Sequence, residues 1–401
     1  MSTTDPHHEK ARVVEKSQLQ EPRVATMPWS MRIADSALSR YDMKNAAWHY
    51  THGLLFTSIE QVAVKSGDGR YWQCVVDYVD RFIDASGNIR SYSLAAYNVD
   101  LIRPATLLFP VYEATGDERY RIAIDLIRSQ LRWQPRTHEG GFWHKKIYPY
   151  QMWLDGIYMA SVFYTTYGRA FAEPAAFDDV AFQIITIENH TRDAASGLLY
   201  HAWDESRQQR WASPQTGCSP HFWSRAVGWY MMALVDILER FPRNHAARQR
   251  LVEILQRTTE AVAAVQDPAS GLWYQILDLG SRAGNYLEAS GSGMFAYAMA
   301  KGVRLGYLDV EWLAVAAQGF QGLMTHLVTE DGDGLLNLHG VCSTAGLGGT
   351  PYRDGSFDYY VGEPVITNNL HGVGPLILAA VEMERAGIPP VPSVHRDGGS
   401  R

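Results

Sequence analysis

Asp155 is the only formal charge between Ile147 and Gly168, in the stretch YPYQMWLDGIYMASVFYTTYG (148–168). A segment that is apolar on almost every side belongs inside a protein. A carboxylate placed there has to be paired, neutralised or used. Burial among aromatic rings favours the protonated carboxyl, the form needed to donate a proton. The residues alone equally allow a buried aspartate that caps a loop or pairs with an arginine. A second carboxylate, Asp100 in YNVDLIRPATLLFPVY, stands just before Pro104, where a helix is expected to begin. That would put it at the mouth of whatever the helices build, although aspartate also favours helix starts for capping alone.

A third group lies in HFWSRAVGWYMMALVDIL, where Arg225 and Trp229 are four residues apart and share a helical face. A guanidinium fork matches a carboxylate, and an indole beside it suits a sugar ring; an arginine paired inside the protein is the plainer alternative. Aromatic and histidine residues recur after a set of glycines: Trp143 and His144, Tyr200 and His201 with Trp203, Trp273 and Tyr274. Any one such ring is usually packing, but the same slot filled repeatedly predicts a cleft lined by rings with polar tips.

Helical periodicity and its punctuation predict twelve helices, near 30–40, 45–64, 69–83, 104–114, 117–132, 150–168, 175–191, 221–240, 246–266, 288–305, 310–328 and 371–386. Pro149 suits the first turn of the sixth, which places Asp155 about one turn further in. The connections repeat. DASGNIRSY, HEGGFWHKK, DAASGLLYHAWD, DPASGLWYQILD and DGDGLLNLHG share a turn, a glycine and an apolar–polar alternation, with glycines at 87, 141, 197, 271 and 334. Such a period is that of a helix pair plus a loop, and means a solenoid or a closed ring. Residues 150–168, 221–240 and 288–305 are apolar nearly all round, as inner helices must be, whereas 117–132 and 246–266 carry charge on one face. The expected fold is therefore all-α, an (α/α)6 barrel, over one catalytic domain at 29–388. Disordered tails are expected at 1–28 and 389–401.

A net charge of −7 gives no case for nucleic acid or an anionic membrane. Three scattered cysteines give no disulfide framework. No apolar run is long enough to span a membrane. The opening MSTTDPHHEKARVVEKSQLQEPRV has no apolar signal core, so the expected compartment is the cytoplasm. No zinc or calcium spacing, Walker loop, dinucleotide fingerprint or serine elbow is present, so no metal and no cofactor is expected.

Four segments, YPYQMWLDGIYMA, FWSRAVGWYMMALVDIL, NYLEASGSGMFAYAMAKGVRLGYL and GSFDYYVGEPVITNNLHGVGPLILAAVEME, resemble glycoside hydrolase family 105, the unsaturated rhamnogalacturonyl hydrolases, over about residues 40–386. The resemblance implies an (α/α)6 barrel acting on a 4,5-unsaturated uronic acid at the non-reducing end of lyase-generated pectin oligosaccharides. In that chemistry the vinyl ether is protonated at C4, water adds at C5, and the hemiketal opens to release the aglycone. By matching motifs, Asp155 takes the acid/base role. Asp100 orients the sugar or water and helps hold Asp155 protonated. His144, Trp153, His201, Arg225 and Trp229 become binding residues. The resemblance leaves open a relative acting on unsaturated glucuronyl units of glycosaminoglycan or ulvan fragments, and is compatible with a monomer or weak homo-oligomer.

Overall fold

The computed structural model describes residues 27–389 and 394–396. Among the described residues, twelve long helical segments alternate between an outer and an inner ring. The outer ring is α1 (Trp29–Arg40), α3 (Gly69–Phe82), α5 (Glu118–Trp133), α7 (Ala175–Thr191), α9 (Arg248–Ala263) and α11 (Trp312–Gly322, continued by a π-helical turn at Leu323–Leu327). The inner ring is α2 (Tyr50–Ser66), α4 (Leu108–Thr115, entered through a 3-10 stretch at Arg103–Leu107), α6, α8 (Ser224–Arg240), α10 (Ala289–Arg304) and α13 (Leu370–Arg385). The sixth helix, α6, runs Leu154–Gly156, passes a π-helical turn at Ile157–Ser161 and ends as Val162–Ala170. Neighbouring inner helices pack in sequence, and α13 closes the ring against α2. The fold is the expected (α/α)6 barrel.

Sequence pattern decides which ring a helix joins. In α3 the buried residues Tyr71, Val75, Tyr78, Val79 and Phe82 form one stripe, and Asp68 caps its start by accepting from Arg70 N. In α8 every residue from Ser224 to Leu238 is buried, and in α10 every residue from Ala289 to Gly302. Small residues let the inner helices approach closely. A β-carbon at Gly53 would lie 2.9 Å from Pro104 Cα, and one at Gly374 2.7 Å from Leu54 Cγ.

The repeat in the connections is a turn anchored by an acceptor side chain. Asp84, Asp193, Asp267 and Asp331 each take backbone N–H groups of their own loop, and Gly87, Gly197, Gly271 and Gly334 follow at positive φ. In the second copy the left-handed residue is Gly140 (φ +108°), not the expected Gly141, and Thr137 Oγ1 replaces the aspartate as acceptor from Gly141 N.

A second correction concerns α6, which starts at Leu154 and not at 150. Tyr150 has φ +62°, which a helix does not allow. Gln151–Trp153 then form β1, antiparallel to β2 (Ala202–Asp204), with Trp153 opposite Ala202. Asp155 consequently sits in the first turn of its helix. Late in the chain, β3 (Val328–Glu330) pairs with β4 (Leu336–Leu338), a short helix α12 (Phe357–Gly362) precedes α13, and β5 (His395–Arg396) lies parallel to β3. Part of the expected C-terminal tail is thus paired. The rest of the expected tails, at 1–26, 390–393 and 397–401, lies outside the described residues. No described helix is long and apolar enough to cross a membrane.

Candidate active site

Three inner helices, and the 3-10 turn Val99–Leu101 that leads towards α4, begin with the same backbone contact. The N–H of Val99 donates to His144 O at 3.2 Å, that of Leu154 to His201 O at 3.1 Å, that of Ser224 to Gln275 O at 3.0 Å, and that of Ala289 to Gly340 O at 2.9 Å. Each contact ties a helix start to the strand-like piece after a repeat turn. The next residue in each case is Asp100, Asp155, Arg225 and Ser290, so these four occupy equivalent places at one end of the barrel.

Two of these places hold an aspartate facing a histidine. Asp100 Oδ1 lies 3.3 Å from His144 Nε2, and Asp155 Oδ2 lies 3.2 Å from His201 Nε2. Trp153 joins the two units, stacked on His144 at 4.6 Å and edge-on to His201 at 5.2 Å. The Tyr50 ring at the start of α2 feels both carboxylates, since burial first and then Asp100 and Asp155 push its phenol up, against Arg225. Its hydroxyl is 2.7 Å from His371 Nε2.

The two aspartates differ in charge balance. Asp100 is buried, and burial alone would favour its neutral form. Lys145 Nζ at 2.6 Å from Oδ2, with His144 beside Oδ1, overrides this and holds the carboxyl far below the usual range. Asp100 is therefore a fixed anion whose charge is already compensated, which weakens the like-charge effect it was expected to exert on Asp155. Asp155 has no lysine or arginine partner among the described residues, and its side chain keeps 14% of its surface open. The equivalent of Lys145 beside it is Ala202, through the pairs Asn98–Lys145 and Trp153–Ala202. The neighbour of Asp155 is His201, brought in from the connection after the repeat turn at Asp193.

Three of the expected binding residues are placed differently from their sequence reading. Trp153 has both faces covered, by His144 and by Tyr148 at 5.1 Å, so it offers no platform for a sugar. Trp229 is 1% exposed, between Tyr158 at 4.8 Å and Tyr50 at 6.0 Å, because it lies one helical turn below the site end of α8. Arg225 is equally buried. Its Nε donates to Ser290 Oγ at 2.8 Å, Nη1 to Ser343 O at 3.2 Å and Nη2 to Cys342 O, with Glu288 at 3.6 Å. The alternative of an internally paired arginine is what the structure holds. In the aromatic slot, Trp203 stacks on His190 at 3.7 Å and Trp273 is fully buried, so these rings pack the barrel rather than line a cleft.

Sequence reasoning missed Lys145, Tyr50, His371 and Tyr360. Lys145 stands beside His144 in the quoted repeat segment, and an alternating strand-like piece leaves its signal in plain view. Tyr360 had none, since its contact with His201 spans 159 residues.

Comparison with known proteins agrees with this architecture. The sequence model of Glycosyl Hydrolase Family 88 matches residues 29–387. A family 105 glycoside hydrolase of C. acetobutylicum ATCC 824 is 44% identical, with a TM-score of 0.87 over 90% of this chain and 100% of that one. Protein Atu3128 of Agrobacterium fabrum is 42% identical over 232 residues, 56% of this chain and 97% of that protein. The unsaturated rhamnogalacturonyl hydrolase YesR of Bacillus subtilis is 26% identical over 273 residues, 67% of this chain and 74% of that protein. With its whole barrel inside the family 88 match and a family 105 structure at this identity, the chain belongs to the family 88/105 glycoside hydrolases and is a glycosidase of oligosaccharides.

Proposed function

We propose that the protein releases a 4,5-unsaturated uronic acid from the non-reducing end of lyase-generated rhamnogalacturonan oligosaccharides, by hydrating the C4=C5 vinyl ether. The observation that carries this reading is the unequal charge balance of two equivalent aspartates. Asp100 is neutralised by Lys145 and cannot exchange a proton near neutral pH, while Asp155 faces a histidine and no cation. One carboxylate held as an anion and one without a cationic partner suit a reaction with a single acid/base. The likeness to YesR supports the pectin-derived substrate.

In this reading Asp155 gives its proton to C4, and the electron pair of the double bond forms the new C–H bond. Positive charge develops at C5 and the ring oxygen. Asp100, held by Lys145 and His144, orients the sugar or the attacking water. Water adds at C5, its proton passes to the Asp155 carboxylate, and the hemiketal opens with loss of the aglycone. The catalyst ends as it began.

The test is loss of the ultraviolet absorbance of the conjugated double bond, on unsaturated rhamnogalacturonan disaccharide and its saturated counterpart. Only the unsaturated sugar should react, and Asp155→Asn should lose turnover by at least about a thousandfold while still binding it. An Asp155→Asn enzyme with full turnover would remove Asp155 from the acid/base role. Faster turnover of unsaturated glucuronyl oligosaccharides would keep the chemistry and reassign the substrate.

A further inference from the structure

The two Asp–His units also differ behind the histidines. His144 Nδ1 is buried without a hydrogen-bond partner among the described residues. His201 Nδ1 lies 2.7 Å from the hydroxyl of Tyr360, and both residues are fully buried. Tyr360 is held in place by Gln275, which follows the repeat turn at Asp267, and by Trp223, just before α8. Its carbonyl accepts from Gln275 Nε2 at 3.0 Å, and its ring stacks on Trp223 at 5.8 Å. Ser356 caps its short helix by accepting from Tyr359 N.

Asp155 Oδ2 and His201 Nε2 face each other at 3.2 Å, and neither makes a hydrogen bond among the described residues; a protonated Asp155 needs a lone pair there, not an N–H. His201 presents a lone pair at Nε2 only as its Nδ1–H tautomer, and the Tyr360 hydroxyl is the group positioned to receive that hydrogen. We infer that Tyr360 is a positioning residue for the acid/base cycle: by accepting from His201 Nδ1–H it keeps the Nε2 lone pair turned to Asp155, so that the acid form of this carboxyl has an acceptor opposite it. The inference deepens the proposed function and depends on Asp155 being its acid.

The proton count closes. Acting as the acid, Asp155 enters the cycle with one proton, His201 with one on Nδ1 and Tyr360 with its own. Donation to C4 leaves a carboxylate facing a lone pair, which makes Asp155 a stronger base. The proton released by the attacking water then returns to Asp155. Neither His201 nor Tyr360 gains or loses a proton. Burial, foremost, pushes the Tyr360 phenol well up, so it stays neutral throughout.

Other ionisable groups surround the unit: Tyr50 of α2, Asp100 with Lys145, Arg225 of α8 and His371 of α13. Tyr359, Cys342 and Arg353 act on Tyr360 itself, and the His221 ring lies 6.5 Å from its ring. Tyr360→Phe leaves all of them unchanged, so what it alters reports the hydroxyl.

Two measurements test the inference. The first is the pH profile of kcat/KM for Tyr360→Phe on the unsaturated disaccharide. Without the acceptor, His201 turns its N–H to Nε2 and favours the carboxylate. The alkaline limb should then move down by about one pH unit, a tenfold loss above it, with KM little changed. A uniform drop in kcat without movement of the limb overturns the role of Tyr360. The second is the tautomer of His201 in the wild-type protein, read from 15N-histidine spectra and assigned by the signal lost in His201→Gln. An Nδ1–H signal is expected at the pH of maximal activity. An Nε2–H signal refutes the inference, and this holds even if Tyr360→Phe fails to fold. An inactive Asp155→Asn with an unmoved limb sinks the inference alone, whereas an active Asp155→Asn sinks the reading beneath it.

Discussion

Replacing Lys145 by methionine removes the ammonium group 2.6 Å from Asp100 Oδ2 and keeps most of the side chain's volume. Two unit charges at about 4 Å near a protein surface interact by roughly 4 kcal/mol. The Lys145 side chain keeps 22% of its surface in water, and screening at that exposure leaves about 3 kcal/mol. The same energy corresponds to about two pH units on Asp100. The sign follows from the direction of the shift. Asp100 is held below its unfolded value, so its ion pair stabilises the protein above about pH 4 and that contribution fades as pH falls through the folded value. Lys145→Met should therefore cost about 3 kcal/mol in urea unfolding at pH 7, with the difference from wild type shrinking only as pH falls below about 4. A double-mutant cycle with Asp100→Asn should return a coupling of similar size. In activity, an acid limb set by Asp100 should move up by about two pH units. A variant with wild-type stability at pH 7, or a stability gap that stays constant with pH, would refute the charge compensation on which the distinction between the two aspartates stands.

Glu288 is fully buried and accepts from Ser290 Oγ, Gly291 N and Cys342 N, with Arg225 close by. Glu288→Gln puts an NH2 donor among these donors and should lower unfolding free energy by about 3 kcal/mol, measured by denaturant titration. Gly140 has φ +108°, and a β-carbon there would stand 3.2 Å from Phe182. Gly140→Ala should therefore cost about 1–3 kcal/mol, read as a drop in Tm. An unchanged Tm would mean that the second repeat turn tolerates an ordinary backbone there.

The barrel was legible because its signals are periodic. An all-buried run such as Ser224–Leu238 and a one-sided stripe such as Tyr71–Phe82 give opposite patterns, and their alternation writes the two rings into the chain. Element starts were less legible. Tyr150 ends any helix reading at 150 only through its positive φ, set by the pairing of Gln151–Trp153 with residues fifty positions away. The two aspartates could be singled out because charge in an apolar segment is rare. The fate of Arg225 could not, since its partners are the backbone carbonyls of Cys342 and Ser343, which no side-chain pattern announces. Trp153 and Trp229 show the same limit. Composition marks an indole as able to stack, and only the packed structure shows which rings already cover its faces.

Trp229, wedged between Tyr50 and Tyr158 with the Arg103 guanidinium over the far side of that pair, plugs the barrel axis beneath the carboxylates. With these rings filling the barrel below, the approach to the carboxylates is from the end where the inner helices start. On the proposed chemistry, the terminal sugar enters first and lies deepest, with the remainder of the oligosaccharide between it and solvent. The aglycone must then depart before the opened uronic acid can, and the next chain cannot thread forward to follow it. Turnover of a long oligosaccharide becomes a series of separate encounters, one per terminus, with the small acid as the last to leave and the natural competitor of fresh substrate.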